Sequence, residues 1–569
     1  MSNNNNTFEM PCITTVSPGA VPVITMLCRT AKIGEIVNQM VQWDEDRSKI
    51  SPGLLIESLI VCIFCGRKPL WRVEEFWSKL DIKLLFDGVD VTVDQLNDDA
   101  YGRALDKLSE VKMEELVNLC SMVMLTAHDL NISTIHLDTT SKSVQGAYEN
   151  GDFGDFLITQ GHTKDHRPDL KQFKIGAAVQ ENGQPVMGHI FSGNTSDKVW
   201  NPKAALKMFE FFDKKGYKDI VFVSDCAIVS KDSISELSDK HIQFISRLPE
   251  TFNLAQELKD TAWESDDWND IGSFNNTKKA ASYKTFAAQR EINDRKYKFI
   301  VVYSSVLDAK KEKTLKKRIT KQKEELTKIA KELAKQSFAC IPDAEAALNK
   351  LQTNAEEMGF TTQSEIELEE KRSYSGKGRP RKGEKPTISI TYHCQCQIGE
   401  LKPDYYEHLR QKESTFVLIA NVKDKRKWDD RSILQEYKNQ SSIENKFRFL
   451  KSPVYLGPVY LEKHNRVQAL GYVFILVLLI SSYLEYRVRK SLKENNEYVL
   501  LPGKKKTDRP TTKTIMEYFS FIVVLIINGQ QRCFPSNCYQ QALNLVRWAG
   551  YNPEETYLKP LPWYPGRDK

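Results

Sequence analysis

Three acidic residues lie in sequence contexts that favour a chemical role. Asp138 follows the β-branched, apolar stretch STIHL, Asp225 ends the apolar stretch DIVFVS, and Glu444 lies in a helical pattern. Carboxylate oxygens suit Mg²⁺, and two such ions about 4 Å apart can activate a water and hold the leaving oxygen of a phosphodiester. Each aspartate also fits a structural role, Asp138 as a turn or cap residue and Asp225 as a helix N-cap.

The segment YKNQSSIENKFRFLKS, residues 437–452, predicts one helix. At 3.6 residues per turn, one face of that helix would carry Tyr437, Gln440, Glu444 and Lys451. Lys451 and Tyr437 would then lie two turns on either side of the carboxylate, within reach of phosphates that flank a scissile one. The alternative is a solvated stripe of polar residues, which is common on helices.

The elements that must position these acids form a mixed α/β pattern. Apolar residues at spacings of three and four predict helices throughout residues 20–130. Short apolar runs then predict strands around Asp138 and at 219–225, with a hairpin at 173–191 around an Asn-Gly turn. The order of elements indicates a mixed sheet with helices packed on its faces.

The spacing of the acids predicts an inserted domain. Asp138 and Asp225 are 87 residues apart, enough for two more strands and a helix, whereas 219 residues separate Asp225 from Glu444. That second distance exceeds one strand-helix step, so a domain must loop out and return. Residues 251–414 contain strand-like segments and a long charged helix that begins near KKEKTLKKRITKQK, residues 310–323.

Bulk composition is that of a globular protein and excludes few partners. The 569 residues are 41% hydrophobic and 27% charged, and the net charge is +6. Eleven cysteines without a repeated spacing favour a reducing compartment, and the N-terminal sequence shows no secretory signal. The apolar run at 469–484 is shorter than a bilayer span needs, so it predicts a buried helix and a cytoplasmic protein without a membrane partner.

These residues resemble the DDE transposases of insertion sequences, specifically the insertion-sequence-four-like superfamily in the branch typified by insertion sequence 1634. The helix motif of that superfamily is Y-x2-R-x3-E-x6-K, and this chain matches it except at Gln440, which replaces Arg. The blocks HLDTTSKSVQGAY, GHTKDHRPDLKQ and VSDCA resemble those around its two aspartates. The resemblance implies a ribonuclease-H-like sheet, with one Asp on the first strand and the other after the fourth.

The resemblance also implies an activity and its partners. Asp138, Asp225 and Glu444 would hold two Mg²⁺ ions, for which Mn²⁺ could substitute, and Tyr437, Gln440 and Lys451 would position the DNA. The substrates would be the terminal inverted repeats of a transposon and a target duplex. The protein would act as a homodimer at the nucleoid, without a nucleotide cofactor.

Two basic segments are candidates for further DNA contacts. GHTKDHRPDLKQ supplies His162, Arg167 and Lys171 as a loop near the DNA, although its histidines could also bind a metal. GKGRPRKG supplies Arg379 and Arg381, which resemble a minor-groove hook, and a solvated linker is equally compatible with that composition.

The sequence therefore predicts a metal-dependent transposase with several domains. The alternatives are a catalytically silent relative that binds transposon ends, for instance as a repressor, and a nuclease that cuts without joining. The predicted domains are a helical N-terminal domain at 1–130, the first part of the catalytic core at 131–250, the insertion at 251–414, the second part of the core at 415–495 and a C-terminal helical region at 496–569.

Overall fold

The computed structural model divides the chain into two units. Unit 1 comprises Met1–Ser246, Asn421–Asp424 and Glu436–Lys569, and unit 2 comprises Arg247–Ala420 and Lys425–Gln435. The structure describes residues 12–46, 48–66, 68–149, 156–162, 167–274, 280–373, 385–451, 461–561 and 563, without the side chains of 442 and 449–451. Unit 2 overlaps the predicted insertion at 251–414, and the predicted domain boundaries stay predictions.

The N-terminal part of unit 1 is a bundle of helices preceded by one strand. Its elements are β1 (Ile13–Val16), α1 (Val21–Thr30), α2 (Ile33–Met40), α3 (Pro52–Cys65), α4 (Val73–Trp77), α5 (Ile82–Leu85), α6 (Asp98–Ser109) and α7 (Met113–Ala127), with 3-10 turns at Leu70–Arg72 and Val93–Gln95. Helix α3 begins where the Ser51 hydroxyl accepts a hydrogen bond from the Leu54 amide, with Pro52 at the first helical position.

The central sheet of unit 1 follows the helical bundle. Its elements are β2 (Thr134–Ser143), β3 (Gln172–Gln180), β4 (Pro185–Ser192), α8 (Asp197–Lys214), β5 (Val221–Ser224), a 3-10 turn at Cys226–Ile228, α9 (Lys231–Asp239) and β6 (Gln243–Arg247). The strand order is β4-β3-β2-β5-β6, in which β4, β3 and β2 pair antiparallel with one another and β5 and β6 run parallel to β2. The predicted mixed sheet flanked by helices is therefore confirmed.

The hairpin of β3 and β4 turns where the sequence predicts. Gly183 has a φ of +83°, a backbone conformation that glycine adopts without a steric penalty. Every residue of β3 is buried, as expected of a strand with packed layers on both of its faces.

Unit 2 combines a run of antiparallel strands with a helical arm. Its elements are α10 (Asn253–Ser265), β7 (Asn269–Ser273), β8 (Ser282–Ile292), β9 (Arg295–Ser304), α11 (Ser305–Ala334), α12 (Ile341–Glu357), β10 (Phe360–Ser373), β11 (Thr387–Leu401), α13 (Pro403–Ser414), β12 (Thr415–Asn421) and the first residues of α14 (Asp430–Asn439). The sheet order is β12-β9-β8-β7. The long charged helix α11 packs with α12 against the hairpin of β10 and β11 around a small apolar core that includes Leu326 and Leu348.

The C-terminal part of unit 1 is built around one long buried helix. Its elements are α15 (Ser441–Lys451), α16 (His464–Glu494), β13 (Val499–Leu501), a 3-10 turn at Pro502–Lys504, β14 (Lys505–Thr507), α17 (Thr512–Phe519), β15 (Val524–Ile527), β16 (Gln531–Cys533), α18 (Gln540–Trp548) and α19 (Pro553–Tyr557). The four strands were not expected in a region predicted to be helical.

Helix α16 is long and apolar enough to cross a membrane, but 94% of its most apolar 18-residue window is buried inside the protein. The run 469–484 is buried along its whole length, so the prediction of a buried helix is confirmed. Helices α1, α3, α6 and α7 of the N-terminal bundle and strand β4 of the sheet all contact it. The apolar run is therefore a shared core element of unit 1.

Candidate active site

The register of two parallel strands places Asp138 beside Asp225. Strand β2 pairs with β5 so that Leu137 lies opposite Ser224, and each aspartate is the next residue along its own strand. Adjacent strands lie about 4.8 Å apart, and side chains at matching positions point to the same face of the sheet. Asp225 keeps an extended backbone, with φ of −68° and ψ of −170°. The two carboxylates therefore lie side by side on one face of the sheet, Asp138 midway along β2 and Asp225 directly after the end of β5.

Both aspartates also accept local backbone hydrogen bonds. Asp225 Oδ1 accepts from the Ala227 amide at 2.9 Å and caps the 3-10 turn, as the structural alternative predicts. Asp138 Oδ1 accepts from the Thr139 amide at 2.7 Å. These hydrogen bonds fix the orientation of each carboxylate. Both side chains remain partly exposed. Capping and metal binding are compatible, because a carboxylate has four lone-pair positions.

Glu444 does not complete a three-carboxylate cluster with the two aspartates. It lies on α15, which packs against β2 and β3, but its own side chain is exposed. Throughout the described ranges, no three His, Cys, Asp or Glu side chains are grouped closely enough to hold a metal ion. The donor chemistry of the aspartate pair fits Mg²⁺. The complete two-metal site stays a prediction.

A buried polar cluster fixes α14 against the strand of Asp138. Glu436 Oε1 lies 2.8 Å from His136 Nε2 and accepts a hydrogen bond of 2.8 Å from Thr134 Oγ1. Thr134, His136 and Asp138 alternate along β2 and share one face. Burial would raise the pKa of the Glu436 carboxyl, but its hydrogen bonds outweigh burial and lower that pKa below its ordinary value. The helix that leads to Glu444 is thus attached on the face that presents Asp138.

A second buried contact attaches α15 to the long helix α16. Lys446 Nζ lies 2.8 Å from Glu485 Oε2, and both side chains are nearly buried. Glu485 Oε1 also accepts hydrogen bonds from the amide and hydroxyl of Thr512, at 2.7 and 2.8 Å. Burial lowers the pKa of Lys446, and the attraction of Glu485 opposes that effect. Each helix of the pair is therefore attached to unit 1 by a buried polar contact.

The prediction of one continuous helix from 437 to 451 is wrong. Helix α14 ends at Asn439 and α15 begins at Ser441, and at Gln440 the amide bonds to the Tyr437 carbonyl, three residues back, at 3.2 Å. The sequence NQSS around this position has weak helix formers, whose side chains compete for backbone hydrogen bonds. The motif residues consequently do not share one environment.

The motif residues predicted to position DNA differ in exposure. Tyr437 is half-buried on α14, Gln440 is only 8% exposed, and Lys451 ends α15 with a side chain outside the described part. Their contacts with DNA stay predictions. Gln440 occupies a buried junction between helices, where it would have to move to reach a phosphate.

The loop predicted to lie near DNA is described in part. His162 is exposed, and Arg167 makes two hydrogen bonds of 2.8 and 2.7 Å to the carboxylate of Asp169, which raise the pKa of Arg167 and lower that of Asp169. Lys171 Nζ donates to the Tyr148 carbonyl oxygen. Arg379 and Arg381 lie outside the described residues. The Arg167 pair is exposed, so a phosphate could compete with Asp169 for the guanidinium.

Comparisons with known proteins leave the function open. Residues 15–122 match a family model described as a domain of unknown function, DUF4277, and no curated protein matches the chain. Among solved structures the chain is similar to "Cryo-EM structure of piggyBac transposase synaptic complex with hairpin DNA (SNHP)". The identity is 9% and the TM-score 0.36, over 95% of this chain and 86% of that chain. At those values the function must be argued from the residues themselves.

Proposed function

We propose that this protein is a DDE transposase of the insertion-sequence-four-like kind, in the branch typified by insertion sequence 1634. The observation that carries the proposal is the register that sets Asp138 and Asp225 side by side on parallel strands. Counted from β2, Asp138 lies on the first strand of the sheet and Asp225 directly follows the fourth, β5. The strand order third-second-first-fourth-fifth supports a ribonuclease-H-like core with its acids at the expected places.

In this proposal Asp138, Asp225 and Glu444 hold two Mg²⁺ ions, with Mn²⁺ as a substitute. The ions would supply an activated water and charge stabilisation at the leaving oxygen. For Glu444 to contribute, α15 must move toward the two aspartates, either in the free protein or when DNA binds. The attachment of α15 to β2 and α16 limits that movement. The protein would cut one strand at the transposon end, and the freed 3′-OH would attack a phosphodiester of the target DNA.

The polar and basic residues near the site would hold the DNA rather than react with it. Tyr437, Gln440 and Lys451 would position the strand that is cut, and a basic loop would contact neighbouring phosphates. The proposed phosphate contacts are His162, Arg167, Lys171, Arg379 and Arg381. The protein would act on double-stranded DNA as a homodimer, in the cytoplasm at the nucleoid.

The decisive experiment is strand cleavage of a duplex that carries the inverted repeats flanking this element. With Mg²⁺, we expect Asp225→Asn to lower the cleavage rate about a thousandfold or more and to leave duplex binding within about twofold. Asp213→Asn, an exposed change at the end of α8, is the control and should cleave normally. Unchanged nicking by Asp225→Asn would show that the assignment is wrong.

One observation favours a second candidate, a silent relative that binds transposon ends. Glu444 is not grouped with the aspartate pair in the described part of the chain. If the wild-type protein binds the repeats but cleaves with neither Mg²⁺ nor Mn²⁺, this candidate replaces the first. Cleavage without joining to a target duplex would instead indicate a nuclease.

A further inference from the structure

An exposed aromatic patch lies in the C-terminal part of unit 1. It consists of Tyr498, Tyr518, Phe521 and Tyr539, which come from three separate segments of the chain. Phe521 is 56% exposed and Tyr539 45%, and their ring centroids are 5.4 Å apart. Tyr518 stacks on Tyr539 with parallel rings at 5.9 Å. Tyr539 thus contacts two other rings of the patch and still exposes nearly half of its surface.

A lysine-rich hairpin is attached to this aromatic patch. Strands β13 and β14 pair around a turn at Gly503, whose φ of +75° suits glycine. The Leu500 carbonyl oxygen accepts hydrogen bonds from the Tyr518 hydroxyl and from Gln541 Nε2. Lys506 Nζ lies 4.0 Å from the ring centroid of Tyr498. The hairpin and the aromatic rings therefore form one continuous surface.

The charge of this surface is positive and largely uncompensated. Residues 499–513 contain five basic residues and one acidic residue, Asp508. Lys504, Lys505 and Lys506 are exposed, and none has an ion-pair partner among the described carboxylates. Lys513, by contrast, lies 3.8 Å from Glu517. Unpaired lysines beside exposed rings favour a polyanion with flat, apolar groups over a neutral protein surface.

We propose that this surface binds single-stranded DNA, with unpaired bases stacked on Tyr539 and Phe521 and phosphates held by Lys504 and Lys505. Base-aromatic stacking combined with a basic strip is the general means of holding single strands without reading their sequence. A duplex keeps its bases stacked on each other, so it could use only the lysines. This site lies outside the residues proposed for catalysis and goes beyond the proposed function.

The test measures binding of a labelled oligothymidine of about 12 nucleotides by fluorescence anisotropy in EDTA, where no metal-dependent cleavage can occur. We expect Tyr539→Ala and Phe521→Ala each to weaken binding about tenfold, while Tyr539→Phe stays within about twofold of wild type. The control is Gln540→Ala, which changes an exposed neighbour that does not belong to the patch. Tyr539→Ala should weaken the binding of a matched duplex much less.

The contribution of the lysines is measured separately, from the dependence of affinity on salt concentration. Lys504→Gln combined with Lys505→Gln should lower the slope of affinity against salt by about 1.4, since each of the two phosphate contacts in a single strand contributes about 0.7. Lys215→Gln combined with Lys218→Gln removes the same charge from exposed positions after α8 and should leave the slope unchanged. An equal change in slope for both pairs would overturn the lysine contacts.

Three outcomes would overturn the proposal. They are a wild-type protein that does not bind oligothymidine, a Tyr539→Ala variant that binds it normally, and a Tyr539→Ala variant that dissociates a dimer without losing the oligonucleotide. The binding assay contains EDTA, so its outcome does not depend on cleavage. A failure of the catalytic proposal therefore leaves this result standing, and the two are tested separately.

Discussion

The two sides of the candidate active site are built in different ways. Asp138 and Asp225 are fixed by the hydrogen-bonded register of β2 and β5, which admits no gradual adjustment. Glu444 lies on a helix that starts after a break at Gln440. The difference teaches that a sheet can fix two carboxylates in the free protein, whereas the position of a third depends on how a separate helix packs.

Two polar contacts hold the helix side in place. Glu436 connects α14 to β2 through His136, and Lys446 connects α15 to α16 through Glu485. Ile443 adds a fully buried apolar contact. A helix held by a few such contacts can move by repacking them, while the strands cannot move without breaking the sheet. The following predictions test that contrast.

The largest expected effect concerns catalysis from the helix side. If Glu444 joins the site when DNA binds, Glu444→Gln should lower Mg²⁺-dependent cleavage roughly a thousandfold, as much as the loss of an aspartate. Asn445→Ala, at the exposed neighbouring position, is the control and should cleave normally. Cleavage by Glu444→Gln within threefold of wild type would mean that the two strand aspartates act without this helix.

The next effect concerns stability. Glu485→Ala leaves the buried ammonium of Lys446 without its carboxylate, and we expect the free energy of unfolding to fall by about 3 to 5 kcal/mol. Glu494→Ala removes an exposed carboxylate from the same helix and should change it by less than about 0.5 kcal/mol. Urea titrations of both variants make the comparison. Equal stability of the two would show that Lys446 is solvated.

The smallest effect is a pH dependence confined to the helix side. The folded-state pKa of Glu436 is lowered, so its contribution to stability is complete above its ordinary pKa of 4.5 and is lost as the pH falls through the folded value. Hydrogen exchange should therefore show α14 opening from β2 as the pH falls below 4.5 and through the folded-state pKa, before β2 separates from β5. Glu436→Gln should remove this step, and an unchanged step would assign it to another group.

The sequence predicts the strand side of the site better than the helix side. Alternation and apolar runs are local properties, and they locate β2, β5, the hairpin turn at Gly183 and both aspartates. The contact between His136 and Glu436 joins residues 300 positions apart, and no local sequence pattern predicts such a contact. A signal existed in retrospect, because His136 stands two residues before Asp138 and faces the same way. The break at Gln440 was indicated by the weak helix formers NQSS.

Long-range contacts also limit what the sequence predicts in the C-terminal region. Strands β13 and β14 have three residues each, too short for an alternating pattern to emerge, and β15 depends on pairing with β1, more than 500 residues earlier. Among aromatic residues the large tryptophans draw attention first, yet Trp263 packs against Trp268 at 5.0 Å. The rings of the exposed aromatic patch are Tyr and Phe, and only three-dimensional packing reveals that they are exposed.

Helix α16 has a consequence for biosynthesis. The helices that end at Ala127 bury part of their apolar surface against α16, which begins at His464. A ribosome needs about 20 to 70 s to make the intervening residues at common elongation rates. During that interval the nascent N-terminal helices lack their partner, so a chaperone must shield them or they must pack temporarily on one another until translation is nearly complete.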